Sequence, residues 1–112
     1  MKQPKVYICG PIKGYDYQER YRSFEEVEKQ LSSLGFEAVN PMKNGLQFDA
    51  AEEQHMRKDI LLLIDCDFMV QLDGHERSVN CNTEAAVALS CGIPTLDRKQ
   101  LRNVSKLFRN NP

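Results

Sequence analysis

The chain has 112 residues, 41% of them hydrophobic and 28% charged. That is enough for one core and too little for two, so residues 1–112 are read as a single domain. With 15 basic and 16 acidic residues the net charge is −1, which gives a nucleic-acid polymer or a membrane surface no bulk attraction.

Val6-Tyr7-Ile8-Cys9 is an apolar run stopped by Gly10-Pro11, which reads as a buried strand and its turn. A helix is expected from about Tyr17 to Leu34, because Tyr21, Phe24, Val27, Leu31 and Leu34 recur at helical spacing. Gly35 ends it. Phe36 to Val39 is the second strand, stopped by Asn40-Pro41, and residues 42–48 form a loop. Asp49 with Glu52 three positions on predicts a capping box for a second helix that ends near Ile64. Phe68 to Leu72 is the third strand, and Asp73 to Asn80 a polar loop. A third helix runs from Cys81 to Ser90 and closes on Gly92. Ile93 to Leu96 is a short fourth strand, and Lys99 to Phe108 a terminal helix.

Strand and helix alternate throughout. The pattern predicts an α/β fold, a Rossmann/flavodoxin-like three-layer sandwich on a four- to five-stranded parallel sheet. The strand after Gly35 should lie on one side of the first strand and the Phe68 strand on the other. Ligands in open α/β sheets bind beyond the carboxyl ends of the strands. Attention therefore falls on residues 10–16, 40–48 and 73–80.

Cys9, Cys66, Cys81 and Cys91 form no C-x-x-C pair, so they read as reduced and mostly buried rather than as a metal or redox site. The residues after Met1 hold no apolar leader, and no apolar run is long enough to span a bilayer. A cytoplasmic protein without a metal or cofactor is expected. Neither histidine has a metal-ligand or triad spacing, and His75 reads as a solvated loop residue.

Gly10-Pro11-Ile12-Lys13-Gly14 matches neither the dinucleotide fingerprint nor a P-loop. It is either a plain tight turn or a place where backbone amides approach a ligand, with Lys13 adding a charge. Asp59, from its spacing alone, is a solvated helix carboxylate. Glu84 falls in the first turn of the third helix, where the dipole keeps it ionised. An ionised carboxylate facing a sugar can act as a nucleophile; the plain alternative is a helix-start glutamate with no other role. Ser78, just upstream, offers a hydroxyl beside helix-start amides to an anion.

Together these segments resemble the nucleoside 2-deoxyribosyltransferase superfamily, nearest to a branch of short phage and bacterial proteins. The resemblance runs from about Lys5 to Pro94. It is carried by Tyr7-Ile8-Cys9-Gly10-Pro11, Asn40-Pro41, Met56-Arg57-Lys58-Asp59-Ile60, Cys66-Asp67, and Gly74-His75-Glu76-Arg77-Ser78 with Glu84. It implies cleavage or transfer of the N-glycosidic bond of a 2′-deoxynucleoside or its 5′-monophosphate, as in the deoxynucleoside monophosphate N-glycosidases. By the resemblance Glu84 attacks C1′, Tyr7 positions it, and Asp59 binds or protonates the departing base. Ser78 with Gly10, Pro11, Ile12, Lys13 and Gly14 corresponds to the substrate-binding loops, and Asn80 stands where a glycine is usual. Pro11 replaces a serine of the hydrolases and His75 a tryptophan. The resemblance also implies a homodimer or higher homo-oligomer. The alternative is a nucleotide-binding module without catalysis, on the same pocket.

Overall fold

β1 (Lys5–Cys9) lies inside the sheet, and its sequence shows why. Val6 and Ile8 point to one face and Tyr7 and Cys9 to the other, and all four are buried. A strand covered on both faces reads as a continuous apolar run rather than an alternating one. The computed structural model describes residues 3–103.

α1 (Tyr17–Ser33) is capped by the Asp16 carboxylate, which accepts from the Glu19 amide at 3.3 Å. It ends on Gly35 at φ +90°, with the Phe36 amide donating back to the Leu31 carbonyl. β2 (Glu37–Val39) follows, then one 3₁₀ turn at Pro41–Lys43, α2 (Glu52–Ile64) and β3 (Phe68–Gln71). A second 3₁₀ turn at His75–Arg77 leads into α3 (Val79–Ser90) and β4 (Thr95–Asp97). Residues 98–103 are helical; the rest of the expected Lys99–Phe108 helix lies outside the described residues.

All three strand pairings are parallel, in the order β2-β1-β3-β4. Tyr7 pairs with Val39 on one side and Met69 on the other. The expected flanking of the first strand is therefore what the sheet shows. Phe24, Val27 and Leu31 of α1, with Leu101, cover the Val6 and Ile8 face. Leu63 of α2 and Cys81 and Ala88 of α3 cover the Tyr7 and Cys9 face. These are the three layers. Among the described residues no helix is long and apolar enough to cross a membrane. All four cysteines are free thiols, and as expected most are buried: Cys9, Cys66 and Cys81 lie inside and Cys91 is exposed.

Two helix starts differ from the sequence reading. α2 begins at Glu52 with Ala51 before it, and Asp49 sits in the preceding turn. Gln54, not Glu52, reaches back to the Ala51 amide, at 3.3 Å. α3 begins at Val79, because the Ser78 hydroxyl caps it by accepting from the Cys81 amide at 3.2 Å. Asn80 thus lies in the first turn of α3, and Glu84 two residues further in than expected.

Gly10 ends β1 under tight packing. A Cβ there would lie 2.9 Å from Phe24 Cζ and 3.0 Å from Leu72 Cδ1. The glycine is required by the core beneath it, which is a different reason from close approach to a ligand.

Candidate active site

Tyr7 and Glu84 meet beneath the carboxyl edge of the sheet. The Tyr7 hydroxyl donates to Glu84 Oε2 at 2.6 Å, with both side chains buried. The strand alternation aims Tyr7 at the α3 face. On α3, Cys81, Glu84 and Ala88 share one stripe turned to the sheet, so the glutamate is drawn into the interior by its apolar neighbours. Burial pushes the Glu84 carboxyl up to about 7, against hydrogen bonds from Tyr7 and Cys9, and the Asp59 charge adds to the rise. The expectation of a fully ionised helix-start carboxylate is corrected here. Desolvation of a buried glutamate outweighs a dipole effect of roughly 0.3–1 kcal/mol.

Asp59 is buried as well, not solvated as its spacing alone suggested. It shares a stripe of α2 with Leu63, one turn nearer the carboxyl edge of the sheet. Asn44 Nδ2 donates to Asp59 Oδ1 at 2.9 Å and faces His55 Nδ1 at 3.1 Å. His55 Nε2–H donates to the Gln47 carbonyl at 3.1 Å, which leaves Nδ1 as the acceptor for Asn44. Asn44 Oδ1 accepts from the Leu46 amide at 3.0 Å, so this buried asparagine has its donors and its acceptor engaged. Burial raises the Asp59 carboxyl above its ordinary value, with the Asn44 hydrogen bond and His55 working the other way. The sequence reading missed Asn44 and His55. The local signal was His55 one helical turn before Asp59 on the same side of α2.

Tyr7, Asp59, Ser78 and Glu84 line one small cleft of about 50 Å³, together with Gly10, Ile12, Lys13 and Asn80. It opens between two larger ones that share Lys13, Glu52 and Asn80. The first, about 320 Å³, is an apolar slot walled by Tyr17, Pro41, Met42, Leu46, Phe48 and Met56, with Asp59 and His55 also lining it. The second, about 380 Å³, is lined by Pro11, Lys13, Tyr15, Arg77, Ser78 and the start of α3. Gly14 is a turn residue at φ +89°, exposed and outside these linings. His75 lines a separate cleft with Arg98 and Arg102.

Glu52 is a further residue that the sequence reading assigned to a cap. Its carboxylate accepts from Lys13 Nζ at 3.1 Å and from Asn80 Nδ2 at 3.1 Å. The bridge crosses the line between the two larger clefts. It is exposed, and such pairs are worth about 0.2–1 kcal/mol, so opening it for a ligand costs little.

Cys9 completes the surroundings of Glu84. Its Sγ, the Cys81 Sγ and a Glu84 oxygen lie within 4.8 Å of one another, and all three residues are buried. This is the group among the described residues that could hold a metal ion. A hydrogen bond with Cys81, and then burial, pushes the Cys9 thiol far up, so it stays protonated and donates to the Cys81 carbonyl at 4.0 Å.

Solved structures of other proteins share this architecture, three of them as follows. The 2-deoxyribosyltransferase of Bacillus psychrosaccharolyticus aligns with a TM-score of 0.65 at 18% identity, over 83% of this chain and 70% of its own. The 2-deoxyribosyltransferase of Leishmania mexicana gives 0.64 at 19%, over 84% and 63%. The Clostridium botulinum CMP N-glycosidase BcmB gives 0.57 at 17%, over 83% and 66%. The chain thus spans roughly two thirds of the length of these proteins and has the nucleoside 2-deoxyribosyltransferase-like fold. Residues 4–97 match the family described as Domain of unknown function (DUF4406), and the chain belongs to that family. No curated protein matches it.

Proposed function

We propose that the chain cleaves or transfers the N-glycosidic bond of a 2′-deoxynucleoside or its 5′-monophosphate, with Glu84 as nucleophile. The observation that carries this reading is the buried Tyr7–Glu84 pair at 2.6 Å, on a cleft that Asp59 lines from another helix. Two carboxyl groups from different elements, one held by a phenol and one by an amide, suit a retaining glycosidase scheme. The fold shared with the deoxyribosyltransferases and the CMP N-glycosidase supports the same chemistry.

In this scheme the base lies in the apolar slot and the sugar over the floor formed by Tyr7 and Glu84. A 5′-phosphate reaches toward Lys13, Arg77 and Ser78. A Glu84 oxygen attacks C1′ and the C1′–N bond breaks. The bond pair leaves with the base, which takes a proton from Asp59. The product is a glycosyl ester of Glu84. Water or a second base then attacks C1′ and frees the carboxylate, its proton passing to Asp59. Tyr7 holds the carboxylate in line throughout, and no metal takes part in any of these steps.

The test is direct. The protein is incubated with the common 2′-deoxynucleosides and their 5′-monophosphates, and free base is followed by chromatography. Release of base from at least one is expected. Binding without release, seen as a thermal shift alone, identifies a nucleotide-binding module instead.

We further propose that the working form is at least a homodimer. The slot is shallow for a nucleotide, and its rim residue Phe48 is 72% exposed beside the half-exposed Leu46. Light scattering over a concentration series should show a dimer or larger; a monomer at every concentration rejects it.

A further inference from the structure

Asn44 and His55 take no part in the scheme above, yet both are tied to its acid. His55 stands one helical turn before Asp59 on α2, so the two side chains meet Asn44 from the same side. The hydrogen bonds run in one direction. The Gln47 carbonyl takes the Nε2 proton of His55, at 3.1 Å. A neutral ring has one N–H, so Nδ1 is left as an acceptor. Asn44 Nδ2 faces that nitrogen at 3.1 Å and Asp59 Oδ1 at 2.9 Å. Each of its two protons therefore has its own acceptor. The Leu46 amide donates to Asn44 Oδ1 at 3.0 Å, which excludes the flipped amide, in which two N–H groups would meet. Asn44 is 7% exposed, so a proton that lost its acceptor could not turn to water where it stands.

The consequence falls on Asp59. Oδ1 receives the Asn44 proton, which makes it the carbonyl oxygen of the protonated acid. The acid's own proton then belongs on Oδ2. Among the described residues Oδ2 has no hydrogen-bond partner, and it is not one of their fully buried unpartnered atoms. Asp59 lines both the 50 Å³ cleft and the 320 Å³ slot, so the open oxygen looks into them.

We infer that His55 is a positioning residue: acting through Asn44, it fixes the proton of Asp59 on Oδ2 and so aims the acid at the departing base. The inference rests on the proposed reaction and deepens it. In each turnover the Oδ2–H bond breaks and a base N–H bond forms, while Oδ1 keeps its bond from Asn44. Without the histidine, Asn44 holds a buried N–H that lacks an acceptor and turns to find one, and the acid loses its direction.

The experiment follows base release at saturating substrate for wild type, H55F, H55N, D59N and the double variant H55F/D59N. The substrate is the 2′-deoxynucleoside or monophosphate that wild type cleaves. H55F keeps a ring and removes the acceptor. It should be slowed roughly tenfold, within the range by which members of one hydrogen-bond network couple, and most for the poorest leaving group. H55N sets an amide oxygen near the place of Nδ1 and should recover most of the rate. Adding H55F to D59N should change little, because no acid proton is left to direct. An equal factor in both backgrounds, H55F as fast as wild type, or H55N no faster than H55F overturns the inference. A nitrogen NMR spectrum of wild type with isotope-labelled histidine, at alkaline pH, gives a readout independent of activity; His75→Gln assigns the two rings. His55 should be the Nε2–H tautomer. If H55F does not fold, this spectrum decides, and an Nδ1–H tautomer overturns the inference. Wild type that releases no base overturns the reaction itself and the role of His55 with it. Wild type that releases base with the other tautomer, or without coupling between His55 and Asp59, overturns the role alone.

Discussion

Replacing Glu84 with glutamine should abolish base release and, above pH 7, make the protein more stable. The two effects share one cause. Glu84 is a carboxyl kept in the interior, raised to about 7 by burial. In the unfolded chain it ionises near 4.5. Between those values the folded protein holds a proton that the unfolded chain releases, so stability falls as pH rises from about 4.5 to about 7 and stays lowered above that. A carboxyl displaced this far costs roughly 3 kcal/mol at pH 8, at about 1.4 kcal/mol per tenfold change in acidity. Glutamine cannot ionise and removes that pH dependence. It keeps an acceptor for the Tyr7 hydroxyl but brings an amide that must also find a partner, so a net gain of about 1–2 kcal/mol is expected. That is roughly 5 °C in melting temperature for a domain of this size. E84Q should melt below wild type near pH 4, where only the amide's cost remains, and above it by pH 8. Equal melting temperatures at both pH values would show that Glu84 is not a strained buried acid. Base release that survives in E84Q would remove it as nucleophile.

The sheet was legible because its signals are local. The apolar run from Val6 to Cys9, the helix stripe through Phe24, Val27 and Leu31, and the glycine after it each announce themselves within one element. The alternation of such elements then leaves few topologies open. The start of α2 was misread for a reason of the opposite kind. Asp49 and Glu52 have the spacing of a capping box, but Lys13 and Asn80, remote in sequence, hold the Glu52 carboxylate. Glu84 shows the same limit. Its place near a helix start was visible, while its ionisation is governed by what packs over it from β1 and α2. The spacing of Cys81, Glu84 and Ala88 was the available sign that the glutamate points inward. Asp59 followed Leu63 in the same way, and only a resemblance to known enzymes singled it out. Asn44 gave no sign at all. An asparagine in a loop is an ordinary residue until the fold buries it.

Asp59→Asn should slow base release by a factor of roughly 10² to 10⁴, the usual range for loss of a general acid. The size of the loss should depend on the leaving base. Burial raises the Asp59 carboxyl, which favours the protonated form that a departing base nitrogen needs. Glu84 must be ionised to attack, so the productive form carries a proton on Asp59 and none on Glu84. The pair works with one carboxyl protonated and one ionised, so activity should be lost both where the two are protonated and where the two are ionised, giving a bell. Asparagine is close in shape and can still meet Asn44, but it has no proton to give. In D59N the descending limb should vanish. A base that leaves readily as an anion needs little help and should lose least, while a poor leaving group should lose most. Rates for a series of bases of graded acidity, measured for wild type and variant, give the comparison. A steeper dependence on leaving-group acidity in D59N assigns proton donation to Asp59. An equal loss for every base would mean that Asp59 only holds the base in the slot, with water as the acid.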